Sequence, residues 1–425
     1  MSDNEKIKRF DLNKRPHKPL FLLMPVIWMM CFPDYWIRRA KIKKEDMEGI
    51  KPPFLMLCNH NAFLDFKIAS VAVFPYRTNN VVAVDGFIKR EWLLRAVGCL
   101  VKRKFTNDIS LVKNLLRVIQ NKNIAVLYPE ARYSLCGTNA VLPKSLGKLV
   151  KLLGVDVVTF ICHGHHINSP FWNLGNRGVK TTAEMKLLIR AQDLDKLTAD
   201  EINDKINDAF IYDDFAWQKE NGVKIIDANR AEGLHKVLYQ CPACETEYQM
   251  DSKGNEIFCK SCGKVWEMTE FGELKAKNEI TEFSHIPDWY EWEREQVRAE
   301  IERGRYNFYD KVIVRSLPNS SGYIDLGIAD FVHNMDGFLI KGEYNGKPYK
   351  MEKSPQSLYS CHIEYEYLGK YGDCVDINTL DDTYYCYPQG DSFSVTKIAL
   401  ATEEMYKYYT ENSEIIQYAL KTQIV

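Results

Sequence analysis

The stretch "LMLCNHNAFLD", residues 55–65, decides how the first half of this chain is read. An apolar run ends at Cys58, a histidine follows at position 60, and an aspartate stands at position 65. On a continuous helix, positions five apart lie about 140° apart around the axis, too far for a good contact. At a strand-to-helix junction the chain bends, and His60 and Asp65 can converge. A carboxylate beside an imidazole fixes its tautomer and raises its basicity. Such a pair can take a proton from a hydroxyl as its oxygen attacks an acyl carbon. The plain alternative is a structural histidine satisfied by its neighbours.

Outward from this stretch, strands and helices alternate. "FLMLC" (54–58), "VVAVD" (81–85), "IAVLY" (124–128) and "VDVVTFIC" (155–162) read as buried strands. "DISLVKNLLRVIQNK" (108–122) places Val112, Leu115, Leu116 and Ile119 on one helical face, with Asn107 or Asp108 as cap. "KSLGKLVKLLG" (144–154) reads as a helix closed by glycine. "TADE" (198–201) is a capping box, followed by a stripe of Ile202, Ile206, Ala209 and Phe210. The alternation predicts an α/β domain with a largely parallel central sheet.

Three further groups follow strands, where open α/β sheets gather their ligands. "NHN" places Asn61 beside His60; "GCLVKRK" (98–104) supplies Arg103 and Lys104; "LYPEARYS" (127–134) supplies Glu130, Arg132 and Ser134. Arginine in such a loop can grip a phosphate with two parallel hydrogen bonds. The plain readings are a solvated basic face for Arg103 and Lys104 and a capping role for Glu130. "HGHH" (163–166) reads as a polar strand end near the cleft rather than a metal site.

In this order and spacing, the groups over about 45–225 resemble the glycerophospholipid acyltransferase family, which includes 1-acylglycerol-3-phosphate O-acyltransferases. The resemblance implies that His60 deprotonates the free hydroxyl of a lysophospholipid. That oxygen would attack the thioester of acyl-carrier protein or acyl-CoA, with Asp65 orienting His60. It implies that Arg103, Lys104 or Arg132 hold a head-group phosphate and that Glu130 orders the acceptor or its loop. The sequence departs from the family pattern in places. Lys104 stands where an arginine is usual, Ala131 where glycine is usual, and Tyr133 where the third block's arginine is usual.

Cys241-x-x-Cys244 and Cys259-x-x-Cys262 enclose fourteen residues, the pattern of a four-thiolate structural Zn2+ site in a zinc ribbon. Residues 241–270 hold three lysines against six acidic residues, so the ribbon is a poor nucleic-acid binder. Redox chemistry of the thioredoxin kind would need only one of the two pairs.

The chain has 425 residues, twelve cysteines and a formal net charge of −1. That length predicts several domains, and the scattered cysteines predict a reducing compartment rather than a secreted disulfide framework. Between Met1 and Lys44, eleven Lys/Arg face four Asp/Glu, around an apolar run from Pro19 to Phe32. The run is shorter than the roughly 20 residues a spanning helix needs. With its aromatic and basic flanks it reads as an interfacial segment on a membrane surface; a buried helix is the plain alternative. After Arg305 the residues alternate as short strands. Asn345-Gly346 marks a hairpin, and a helix from about Val395 to Tyr409 closes the pattern. A small pleckstrin-homology-like barrel would fit.

The expected organisation is thus an interfacial segment (1–45), an acyltransferase domain (46–232), a zinc ribbon (233–272), a helical linker (273–304) and a β-rich domain (305–425). The expected place is cytoplasmic, peripheral on the inner membrane face. The competing expectation is a catalytically inactive acyltransferase-like protein that acts as a zinc-ribbon binding module.

Overall fold

The structure is a computed structural model that describes residues 7–278 and 280–412. Parts of three expected regions, residues 1–6, 279 and 413–425, lie outside the described residues.

The chain begins with α1 (Met24–Ile37), β1 (Lys41–Glu45), β2 (Phe54–Cys58), α2 (Leu64–Ala72) and β3 (Thr78–Ala83). It continues with α3 (Glu91–Ala96), β4 (Leu100–Lys102), α4 (Ile109–Gln120), β5 (Ile124–Leu127) and α5 (Leu146–Leu153). Then come β6 (Asp156–His163), the single turn α6 (His165–Asn168) and β7 (Thr182–Ile189). The seven strands form one sheet in the order β1-β7-β6-β2-β5-β3-β4. Every neighbouring pair is parallel except β6 and β7.

The uninterrupted apolar character of β2 follows from its place between β6 and β5, where both faces are covered. Leu55 and Leu57 pack on one side with Leu115, Val118 and Ile202. Phe54, Met56 and Cys58 pack on the other with Ile68 and Ala69. The flanking signals act locally: Asp108 accepts from Ser110 N to cap α4, and α5 ends at Gly154, whose φ is 62°. Three strands lie outside the four runs that read as strands: the two edge strands β1 and β4, and β7. β1 is a charged strand that pairs with β7, and β7 turns antiparallel against β6.

Beyond the sheet, α7 (Ala199–Ala209) carries the Thr198/Glu201 capping box, and α8 (Asp214–Glu220) follows. A four-stranded antiparallel sheet then forms from β8 (Met250–Lys253), β9 (Glu256–Cys259), β10 (Val265–Met268) and β11 (Leu274–Ala276). After α9 (Ile286–Glu302) comes a second seven-stranded sheet: β12 (Asn307–Ser316), β13 (Ile324–Asn334), β14 (Gly337–Tyr344), β15 (Lys347–Lys353), β16 (His362–Glu364), β17 (Cys374–Asn378) and β18 (Thr383–Pro388). Its order is β15-β14-β13-β12-β18-β17-β16, and every pair is antiparallel. Asn345 and Gly346, at φ 52° and 70°, make the tight turn between β14 and β15. α10 (Val395–Glu411) closes the described chain. α9 is a packed arm: a single apolar cluster runs from Ile257 and Trp266 through Trp289 to Phe331 and Leu400.

Candidate active site

β2 ends at Cys58 and α2 begins at Leu64, so His60 lies in the turn and Asp65 in the first turn of the helix. His60 Nδ1 is 3.2 Å from Asp65 Oδ2. The same oxygen accepts from the backbone N–H groups of Asn61 at 2.6 Å and Ala62 at 2.9 Å. Its other oxygen faces a second histidine: His165 Nδ1, from α6, is 2.6 Å from Asp65 Oδ1. Burial alone would raise the Asp65 carboxyl. The hydrogen bonds from His165 and His60 outweigh it and hold the group at about 2. Asp65 is therefore an anion that receives Nδ1–H from both rings. That leaves Nε2 of His60 free to accept a proton.

The His60 ring lies between those of Tyr128 and Tyr133, each with its centroid 4.4 Å away, and its side chain stays 25% exposed. Glu130 sets its backbone: Oε2 accepts from His60 N at 2.6 Å and Oε1 from Ala140 N at 2.8 Å. Burial pushes the Glu130 carboxyl up to about 8, against the pull of those two N–H groups. Ser134 N donates to His60 O at 2.8 Å. Ala131, beside Glu130, holds a φ of 57°, in the left-handed region that favours glycine.

His60 opens into a cavity of about 670 Å3. Leu23, Val26, Met30 and Phe63 line its apolar side; Lys104 and Arg132 also reach it. Val26, Met30 and Phe63 are at the same time exposed, so the cavity opens on an apolar surface.

A family model described as Acyltransferase matches residues 39–163. This segment is an acyltransferase-family domain. Among solved structures, the 1-acyl-sn-glycerophosphate acyltransferase PlsC from Thermotoga maritima is similar at 12% identity and a TM-score of 0.34. That match covers 44% of this chain and 76% of the other. No curated protein sequence matches this one.

Several side chains expected to hold substrate in the acyltransferase domain are engaged inside the fold instead. Arg103 is buried; it donates to Leu317 O, Pro318 O, Asp381 O and Thr383 Oγ1, all from the end of β12 onward. Its place at the end of β4 abuts the second seven-stranded sheet, so it ties the two together rather than gripping a phosphate. Asn61 Oδ1 accepts from Tyr212 at 3.0 Å, and Ser134 Oγ donates to Thr138 O at 2.6 Å. Glu130 joins the His60 turn to Ala140. None of these four lines the cavity. Arg132 reaches the cavity but spends Nη2 on Glu403, at 2.7 Å. Lys104 also lines it, with carboxylates of Asp85 and Asp376 close by. The plain reading of Arg103 and Lys104 as a solvated face fails because the second sheet covers them.

His165 is the partner of Asp65 that sequence spacing does not single out. Its signal lies in "HGHH". Gly164, at φ 78°, turns the chain after β6, so His165 points back at Asp65 while His166 is buried elsewhere. Asp65, Cys162 and His165 could in principle hold a metal, but both Asp65 oxygens are already occupied by N–H donors.

Away from the cavity, the four sulfurs of Cys241, Cys244, Cys259 and Cys262 lie within 4.8 Å of one another. Cys241 and Cys262 are 3.7 Å apart, and Cys244 and Cys259 are 3.8 Å apart. Tetrahedral Zn–S bonds of about 2.3 Å require S···S distances of about 3.8 Å. The geometry is compatible with zinc, and the distances are far too long for disulfides.

Proposed function

We propose that this chain moves a fatty acyl group from an acyl thioester, carried by acyl-carrier protein or CoA, to the free hydroxyl of a lysophospholipid such as 1-acylglycerol-3-phosphate. The observation that carries the reading is the His60–Asp65 pair at the inner side of a cavity whose mouth is an exposed apolar surface. An acyl chain can enter from a membrane and place its glycerol hydroxyl at the imidazole.

In this reading His60 Nε2 takes the hydroxyl proton as the oxygen attacks the thioester carbonyl carbon. The C–S bond then breaks, and the leaving thiolate receives that proton from His60. Asp65, ionised and hydrogen-bonded to Nδ1, stabilises the imidazolium between the two steps. The protein contributes no covalent nucleophile.

Zn2+ held by the four cysteines would have a structural role, since four thiolates complete a tetrahedral set. The exposed side of α1 would rest on the membrane interface.

One observation favours the rival reading of an inactive binding module: Arg103 and Arg132 both spend hydrogen bonds on the C-terminal part of the chain. The test is acyl transfer from labelled acyl-carrier protein and acyl-CoA to a lysolipid panel, with wild type beside His60→Ala. Transfer that vanishes in a folded His60→Ala protein supports the enzyme. No transfer by folded wild type to any acceptor selects the module.

A further inference from the structure

The cavity that holds His60 does not close within the acyltransferase domain. Its far wall comes from β16 and the turn after it, where His362, Glu364 and Tyr367 line the same space as Asp85 and Lys104. A path of rings leads there from the catalytic pair. His60 and Tyr133 have centroids 4.4 Å apart, Tyr133 and Phe171 5.9 Å, and Phe171 and His362 6.4 Å.

At this end the cation is already engaged. Lys104 Nζ lies 2.8 Å from His362 Nε2, 3.7 Å from Asp85 Oδ2 and 3.9 Å from Asp376 Oδ2. An ammonium can only donate, so His362 accepts at Nε2 and carries its proton on Nδ1. That nitrogen lies 3.1 Å from Asp376 Oδ2. Glu364 differs from its neighbours. Its carboxylate takes part in no hydrogen bond among the described residues, and His362 Nδ1 is 3.7 Å away. A largely buried carboxylate with open acceptor positions, lining a substrate cavity, is a site for a hydrogen-bond donor.

We propose that the C-terminal sheet completes the acceptor site and that Glu364, seated by His362 and Lys104, selects the acceptor's head group. The group selected bears a hydroxyl or ammonium donor beyond its phosphate. An ionised phosphomonoester has no comparable donor and meets Asp85 and Glu364 as like charges. This inference rests on the acyl-transfer reading of His60 but moves its preferred acceptor away from 1-acylglycerol-3-phosphate, and its test separates the two.

Short-chain lysophosphatidylglycerol, lysophosphatidylethanolamine and lysophosphatidate, each below its micelle concentration, are titrated into the full-length His60→Ala protein. The same is done with Glu364→Leu or Glu364→Gln added. The donor-bearing lipids should bind about tenfold tighter than lysophosphatidate or better, as a hydrogen bond to a charged group provides. Glu364→Leu should erase the preference, and Glu364→Gln, which keeps shape and one acceptor, should retain part of it. In the active protein, Glu364→Leu should raise acceptor KM more than it lowers kcat and leave the thioester KM alone. Equal binding of lysophosphatidate, or a preference that survives Glu364→Leu in a protein of unchanged melting temperature, overturns the inference. If the preference is present but no acyl group moves, the head-group site stands and the role of His60 in acyl transfer falls. Transfer with an acceptor KM indifferent to Glu364→Leu leaves the acyl-transfer role standing and removes the head-group site.

Discussion

Arg132 Nη2 donates to Glu403 Oε1 at 2.7 Å, joining the loop after β5 to the closing helix α10. Ser360 donates to the same oxygen, and Arg294 of α9 takes the other, both at 2.7 Å. Three segments thus meet α10 at one buried carboxylate. Removing one partner of a buried ion pair leaves the others uncompensated and costs about 3–5 kcal/mol. Glu403→Gln should lower stability by that order in urea melts. Glu403→Gln should also reduce any His60-dependent activity, because Arg132 and Glu130 share one loop.

Acid should reach this network from a predictable side. Burial would raise the Glu403 carboxyl, but Arg132 and Arg294 hold it at about 2, below an ordinary 4.5. Asp65 is likewise held at about 2, from 3.8. A depressed carboxylate gives stability that is present above its unfolded pKa and lost as pH falls through the folded one. A tenfold difference in proton affinity is worth about 1.4 kcal/mol, so each group should give up roughly 2–3 kcal/mol between about pH 4.5 and pH 2. His166, kept neutral to about 3 by burial, works in the same direction below pH 6.5. Glu130 and Asp214, raised to about 8 and 7, oppose it only above their ordinary values, 4.5 and 3.8. Denaturation midpoints measured at pH 5, 4 and 3 should fall steeply; a flat profile would refute these placements.

His165 should behave as a positioning residue. It touches Asp65 and does not line the cavity. His165→Phe keeps the ring volume and removes one of the two imidazole N–H donors to the carboxylate, the one on Oδ1. Asp65 should then titrate higher, and the acid limb of the pH–rate profile should move to higher pH. A variant with a lower rate and an unmoved profile would mark His165 as mere packing.

The sheet is legible in the sequence because periodicity reports burial. "FLMLC" is apolar at every position, as only a central strand covered on both faces can be. β1, "KIKKE", reads as basic flank because an exposed edge strand has little apolar face to announce it. The convergence of His60 and Asp65 follows from a local bend. The fate of Arg103 does not: its partners lie more than two hundred residues away, and no local pattern carries that information. For the same reason the wall formed by His362 and Glu364 has no trace in the acyltransferase segment itself.

The four cysteines lead to a measurement of metal. Purified protein should carry about one zinc per chain, and Cys259→Ser should abolish it. β8 to β11 are short and share the apolar cluster that reaches α9. Loss of metal should therefore lower the melting temperature of the whole C-terminal half rather than the ribbon alone. Full stability after complete metal removal would reject the structural role.

No described helix is long and apolar enough to cross a membrane, yet α1 and the turn before it expose a broad apolar face. Leu22 is 87% exposed, Ile37 77% and Met29 71%, with Phe21 and Trp36 alongside. Arg39, Lys41 and Lys44 stand exposed just after the helix. Arg38, part of that cationic flank in the sequence, is instead buried and donates to Asn168 at 2.7 Å. Burying one such apolar side chain contributes about 1.5–3 kcal/mol. Leu22→Glu with Met29→Glu should therefore weaken sedimentation with anionic vesicles by about a hundredfold. Because these two side chains do not line the cavity, turnover of a water-soluble short-chain lysolipid should survive. Equal loss with both substrates would instead mean that α1 shapes the cavity and that membrane docking is not its task.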